Sequence, residues 1–498
     1  MATAASAYSA YNANHSVAAT TISDTAANIS TSIANLYTLY NAGKITSITI
    51  TDAATNKLTI TASQADAYCY TVLSKAMIAS PFQVNASFNG GQAFDVLSYT
   101  NITSVSITET AMTFGGWLSS YQQNSFASRL SSVTLTDITT TPIYISSYDL
   151  YNQVTQAGSF LSKVSGTFTL AVGTGTPVNA SQAASIIAAD SRITFIGVAD
   201  TPTAIVSSLD SLNTIVNKLG TAGLTIIGTS GNGNALTLSS TQLINDYAVL
   251  GKINSATLVL TISNSVSASG TSAVLNAAAA ISGRTVTTSM SVSDTAANIA
   301  SNLNALQGNI ASISAITQTD IGVALAISSA QLVNDSAALT KINSGSYTVA
   351  INDAVLVSSV ASLNGNSHVI SLGVSDSAVN ISSNIDFLSS NISKITAITN
   401  NNSGVLSITA TQLSNDSAVL SKISGGLYSL AVSGVSVSNA ASVALNNHVN
   451  TISITDTSAN IISSLSSLSP DSAKVTSIVF TDSNPSLSIS ASLLIVSM

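Results

Sequence analysis

One phrase constrains this chain more than any other feature. Asp294-Thr-Ala-Ala-Asn-Ile299 repeats Asp24-Thr-Ala-Ala-Asn-Ile29 word for word. Close copies begin at Asp376 and Asp456, and looser ones at Glu109 and Asp200, so six acids recur at spacings of 80–94 residues. Six copies at that period are a tandem array, in which each copy buries its apolar surface against its neighbours. Apolar residues follow each acid by five, nine and twelve positions. The sets are Ile29, Ile33, Leu36; Phe114, Leu118, Tyr121; Ile205, Leu209, Leu212; Ile299, Leu303, Leu306; Ile381, Ile385, Leu388; and Ile461, Leu465, Leu468. That spacing is one stripe of a helix. The acid stands where an N-cap belongs, able to accept from first-turn N–H groups and to meet the positive end of the helix dipole. Alternating segments such as Ile452-Ser-Ile-Thr455 precede it, so the phrase reads strand, cap, helix.

A second strand–helix phrase runs over 325–342 and 406–423, with looser versions ending at Lys75, Lys163 and Lys252. A third covers 347–363 and 428–445, and an extra strand such as Ile45–Ile50 or Val475–Phe480 lies between the first two. Short strands alternating with short helices favour parallel pairing. The expected fold is α/β: an elongated repeat solenoid of strand–helix units with mostly parallel strands. The alternative is a string of small β-rich sandwich modules, because antiparallel meanders also give alternating strands. The copies divide the chain into a partial repeat end at 1–17, repeat 1 at 18–100, a divergent repeat 2 at 101–190, repeat 3 at 191–284, repeat 4 at 285–367, repeat 5 at 368–447 and a truncated repeat 6 at 448–498. Thus the chain opens on a repeat's tail (5–15 resembles 440–448) and closes on a repeat's beginning (487–494). Two such ends are expected to complement each other between molecules, head to tail, unless they are simply frayed.

The cations follow the period. Lys75, Lys163, Lys252, Lys341 and Lys422 close the second helix, and Lys44, Arg129, Lys394 and Lys474 precede the extra strand: nine of the thirteen Lys and Arg. They cap helix C-termini and protect strand edges, or else they form a row facing a partner surface.

Composition narrows the function. Only 7% of residues are charged and the net charge is −8, which excludes the basic face of a nucleic-acid binder. Mean hydropathy is +0.43, yet Ser, Thr or Asn interrupts every apolar stretch well short of the roughly 18 residues a membrane span requires. The single cysteine, Cys69, allows no intramolecular disulfide and is expected to be a small buried residue. Met1 to Tyr8 has neither a positive nor an apolar signal region, so no cleaved secretory signal is expected. His15, His368 and His448 follow Asn-containing turns and are expected to be turn residues, not ligands. HExxH, CxxC, Gly-x-Ser-x-Gly and Walker patterns are missing. The recurring acids, the caps and Asp246, Asp335 and Asp416 of the second helix, fit architecture better than one active site. No catalytic, cofactor-binding or metal residue is therefore assigned, and no enzymatic activity is expected. Calcium stays open without assigned ligands; the nearest segments are the Gly/Asn-rich 89–95 and 228–234.

The phrases Asp-Thr-Ala-Ala-Asn-Ile, Gln-Leu-x-x-Asp-x-Ala-x-Leu-x-Lys-Ile and Tyr-x-Leu-x-Val resemble tandem repeats of large secreted surface proteins of proteobacteria, adhesin-like or S-layer-like, many similar to type I secretion substrates. The resemblance covers nearly the whole chain and implies an extracellular, cell-surface location. The apolar, Ser-rich tail from Ser488 to Met498 is compatible with an uncleaved C-terminal export signal. The function expected is a secreted, non-enzymatic structural protein that self-assembles into a surface layer or extracellular filament. Its partner is itself, with cell-surface polysaccharide as a candidate anchor. The alternative is an adhesin that binds glycans or another surface; Trp117, Tyr144, Tyr148 and Tyr151 concentrate in repeat 2 as its candidate patch. A polysaccharide lyase or hydrolase on a β-solenoid is the third reading.

Overall fold

The computed structural model describes residues 1–88, 102–122, 127–137, 139–155, 159–220, 222–226, 234–423, 428–468, 473–486 and 488. The segments 89–95 and 228–233 and the tail from 489 on lie outside these residues, as does the side chain of Tyr121.

The protein is α/β, with short helices and short parallel strands. Every strand pair with a defined register among the described residues is parallel. The antiparallel meanders that sandwich modules would require do not occur among them. Strands follow sequence order within a sheet. One sheet runs Leu325–Ile327, Val349–Val355, Val369–Asp376 and Ile395–Asn400. The next runs Leu406–Thr409, Leu430–Val435, Val449–Asp456 and Val475–Phe480. Each sheet takes two strands from one sequence copy and two from the next, so the copy boundaries at 367/368 and 447/448 cut sheets through the middle. Those boundaries mark where the wording restarts, and strand pairing runs across them.

Two compact units emerge. The first comprises Met1–Thr261 with Asn276–Thr287, the second Ile262–Leu275 with Thr288–Met498. Each has the same core logic. The predicted helix stripe is buried in every copy: Ile29, Ile33, Leu36, Phe114, Ile205, Ile299, Ile381 and their companions have essentially no solvent exposure, while Leu465 is half-buried. In both units these helices pack on the first strand of the following sheet, Ala26–Asn41 on Leu58–Thr59 and Ala378–Ser383 on Leu406–Thr409. Repeats 3, 4 and 5 depart from the single helix expected. The chain leaves helical geometry at Ser208, Asn302 and Asn384, giving two short helices. The Asn302 and Asn384 amides donate to the carbonyls of Asn298 and Asn380 four residues back, a local bond that competes with the helix ladder. No helix among the described residues is long and apolar enough to cross a membrane.

Candidate functional site

The recurring acids stand one residue before the N-cap. Thr25, Thr201, Thr295 and Ser377 have the extended backbone of an N-cap, and their hydroxyls accept from the N–H three residues on. Thr110 and Thr457 make the same bond. The expected caps Asp24, Glu109, Asp200, Asp294, Asp376 and Asp456 are therefore displaced by one position; the small hydroxyl residue takes the cap and frees the acid for a longer reach.

That reach joins consecutive turns of the chain. Oδ1 of Asp24, Asp294, Asp376 and Asp456 accepts from the next backbone N–H and from the Asn amide four residues on, at 2.7–2.9 Å. Oδ2 accepts from an N–H that opens a helical turn 19–26 residues earlier: Ala4, Ala268, Val357 and Val437, at 2.9–3.1 Å. Asp200 holds Ala180 in the same way. Helix starts after the acids, and that of the second-phrase helix Ser329–Asn334, are held in turn from further on. Ala26, Ala111, Ala296, Ser329 and Ser458 donate their N–H to Asp52, Asp137, Asp320, Asp353 and Asp482 at 2.6–2.7 Å, and Ala378 donates to the Asn402 side chain. These ten carboxylates are ten of the chain's 21 Asp and Glu. Glu109 is buried at the end of its strand.

Hydrogen bonding dominates the electrostatics of the clamp. Burial pushes the Asp294 carboxyl up, but the Asn298 amide and the Ala268 and Thr295 N–H groups outweigh it and hold the carboxyl below the usual range. Asp24 and Asp376 repeat that balance. Asp456 is lowered chiefly by Asn460, Asp52 by the Ala26 N–H and Asp482 by the Ser458 hydroxyl.

The cations mirror the acids at the other helix end. Lys341 Nζ donates to the carbonyls of Ile310, at 3.0 Å, and Ile313; Lys422 Nζ reaches Ile392, at 3.1 Å, and Ile395. Lys394 meets the Asn364 and Asn366 carbonyls and Lys474 that of Ala444. Lys218 and Arg284 do the same to Ile187 and to Gly251 and Ile253. All reach back 27–33 residues, so they cap the preceding turn and not their own helix. Lys341 and Lys422, half-buried, spend their ammonium groups on these carbonyls. Lys75 is exposed, and Lys163 and Lys252 are half-buried.

The histidines are ring partners. His368 stacks on Tyr347 and His448 on Tyr428, with centroids 4.0 Å apart, and Nδ1 of each lies against that tyrosine's own carbonyl. His15 tilts against Tyr11. Cys69 is buried and its thiol donates to the Asp66 carbonyl. In repeat 2, Tyr148 and Tyr151 are 72% and 68% exposed, Trp117 is 37% exposed and Tyr144 is half-buried.

Three acids behave oppositely to the clamps. Asp246, Asp335 and Asp416 are buried at kinks of the second helix, and each keeps an Oδ2 without a donor. Burial raises all three; beside Asp210, Asp246 is pushed up to about 6. No three His, Cys, Asp or Glu side chains gather around one point among the described residues. Sequence reasoning singled out the recurring acids but placed them on the cap itself, and it missed the second set, Asp52, Asp137, Asp320, Asp353 and Asp482. It also missed the Ser/Thr-x-x-Gln capping boxes at Thr61, Ser239, Ser328 and Thr409, whose spacing was available to find. No protein-family model, curated protein or solved structure matches this chain.

Proposed function

We propose that the chain is a secreted, non-enzymatic structural protein whose repeats stack as an elongated solenoid and which assembles with itself into an extracellular layer or filament. The observation that carries this is how the charged groups are used. Ten carboxylates and at least six cations bond to backbone groups of the preceding turn, at positions that recur from copy to copy. Chemistry distributed in this way builds a scaffold.

Negative-stain microscopy over a concentration series tests this reading. Regular filaments or sheets are expected. Discrete monomers at every concentration would overturn it. The exposed Tyr148, Tyr151 and Trp117 favour a second reading, an adhesin that stacks these rings on sugar faces. Its test is a glycan array with wild type and Tyr148→Ser/Tyr151→Ser.

A further inference from the structure

The chain holds two sets of recurring carboxylates in opposite surroundings. The clamp acids are saturated with donors. Asp24, Asp294, Asp376 and Asp456 each accept from two backbone N–H groups and one Asn amide. The acids of the second helix are short of them. Asp246, Asp335 and Asp416 are 1%, 4% and 4% exposed, and Oδ2 of each is enclosed by protein without a donor. All three follow the Gln of a capping box by four residues and stand where the backbone leaves helical geometry, at φ −117°, −103° and −103°.

Donors favour the ionised form of a carboxyl, whereas burial with an oxygen left bare favours the neutral acid, since a proton there removes the charge. The neighbours supply no opposing charge. The helix Leu209–Leu219 packs on Ser240–Leu250 and brings Asp210 and Asn213 to Asp246; its Lys218 is spent on the Ile187 carbonyl, and Lys252 follows the broken helix, half-buried. The helix Ile385–Ser390 brings Asp386 and Ser389 to Asp416, and Asp386 also accepts from Gln412. Around the second helix of repeat 4, Leu303–Gly308 carries no charge, and Asp353 of Val349–Val355 is occupied by Ser329. Lys341 and Lys422 bond to carbonyls. Asn213 and Ser389 each donate once, and Asp210 and Asp386 bond to the buried carboxyls only through a proton that one acid of the pair carries. We propose that the second helices of repeats 3, 4 and 5 are a proton-operated device: each is held shut at its break while Asp246, Asp335 or Asp416 carries a proton, and loosens there when that acid ionises.

The two sets then respond to pH in opposite directions. Burial raises all three carboxyls of the second helices, and at Asp246, where Asp210 adds to burial, to about 6. Their contribution is full below the ordinary 3.8 and is lost as pH rises through the folded value. The clamp carboxyls, where donors outweigh burial, are held below 3.8 and fail only as pH falls beneath it. The array is therefore tightest in mildly acidic solution, with the clamps ionised and the breaks protonated. Repeat 1 is a built-in control: four residues after the capping-box Gln64 it has Tyr68 in place of the acid. The device lies within one chain and requires no assembly.

The test is amide hydrogen exchange of the dispersed full chain at pH 5 and pH 7.5, read as protection factors so that the intrinsic pH dependence of exchange is removed. Protection in Ser240–Leu250 is expected to fall about tenfold between the two, the ratio that a folded value of about 6 implies, and to fall in 329–340 and 410–421 as well. Ala26–Asn41 and Ala62–Tyr68 should keep theirs. Asp246→Asn, which leaves the site neutral at either pH, should abolish the response in Ser240–Leu250 and leave it in the other two segments. Far-UV circular dichroism checks that variant's fold, and the wild-type comparison stands without it. Protection equal at both pH values in the three segments, a response that survives Asp246→Asn, or an equal fall in Ala62–Tyr68 would overturn the proposal.

Discussion

At the residue scale, a carboxylate beside a helix start is usually explained by its own helix, but Asp294 divides its oxygens between two. Oδ1 serves Thr295 and Asn298, and Oδ2 serves Ala268 one turn back. Removing it orphans an N–H in each place. Asp294→Ala is therefore expected to lower unfolding free energy by about 2 kcal/mol in urea titrations, and Asp294→Asn by less, since an amide oxygen still accepts. The sign of the pH dependence follows. A carboxyl held below its ordinary value gives stability that is present above the unfolded pKa and is lost as pH falls through the folded one. Asp246 runs the other way. Its folded value of about 6 lies above the ordinary 3.8, so its contribution is present below 3.8 and lost as pH rises from 3.8 through 6. Asp246→Asn should raise the melting temperature at pH 7.5 and change it little at pH 4. An equal effect at both pH values would mean that charge is not the cause.

At the scale of elements, helices of five or six residues such as Ser336–Thr340 and Ala378–Ser383 cannot stand alone; packing and caps hold them. This is why the stripe was legible in the sequence and the kinks were not. Burial of Ile381, Ile385 and Leu388 needs only their spacing, and a break at Asn384 preserves it. The sixth position after each acid shows how one helix meets the next strand. Ser30 and Ser382 accept there from the N–H of Thr59 and Ser407. Repeat 2 has Gly115 at this position, and a Cβ on it would lie 2.0 Å from the Tyr144 carbonyl oxygen. Its neighbour Gly116 faces open space within the same helix. The two glycines should respond oppositely to alanine. Gly115→Ala is expected to cost about 2 kcal/mol or more through forced separation of helix and strand. Gly116→Ala is expected to gain up to about 1 kcal/mol from helix propensity. Thermal melts of the pair decide it, and stabilisation by Gly115→Ala would refute the close approach.

At the scale of the whole molecule, side-chain wording announced the array, but the bonds between turns left little trace in it. Ala4, Ala26, Ala268 and Ala296 donate through backbone N–H groups, which no residue type advertises. Their acceptors Asp52 and Asp320 stand in polar turns that need no partner to be explained. The same blindness displaced the structural boundaries, because a period can be counted from any residue whereas a sheet begins where a strand first pairs. The clamps also determine how damage should spread. Each of these acids ties one strand–helix unit to a helix start 19–26 residues earlier, and a bond of that short range acts locally. The charges are committed to backbone dipoles more than to one another; Asp190–Arg192 is the one ion pair among the described residues. Loss of a clamp should therefore loosen the two turns it joins and leave remote ones intact. Asp456→Ala removes the acceptor of Val437, Thr457 and Asn460. Hydrogen exchange is expected to accelerate in Val437–Ala444 and Ser458–Leu468 while Ala26–Asn41 and Ile45–Ile50 keep their protection. Uniform acceleration along the chain would mean that the array unfolds as a single cooperative body and that the clamps are not its units of stability.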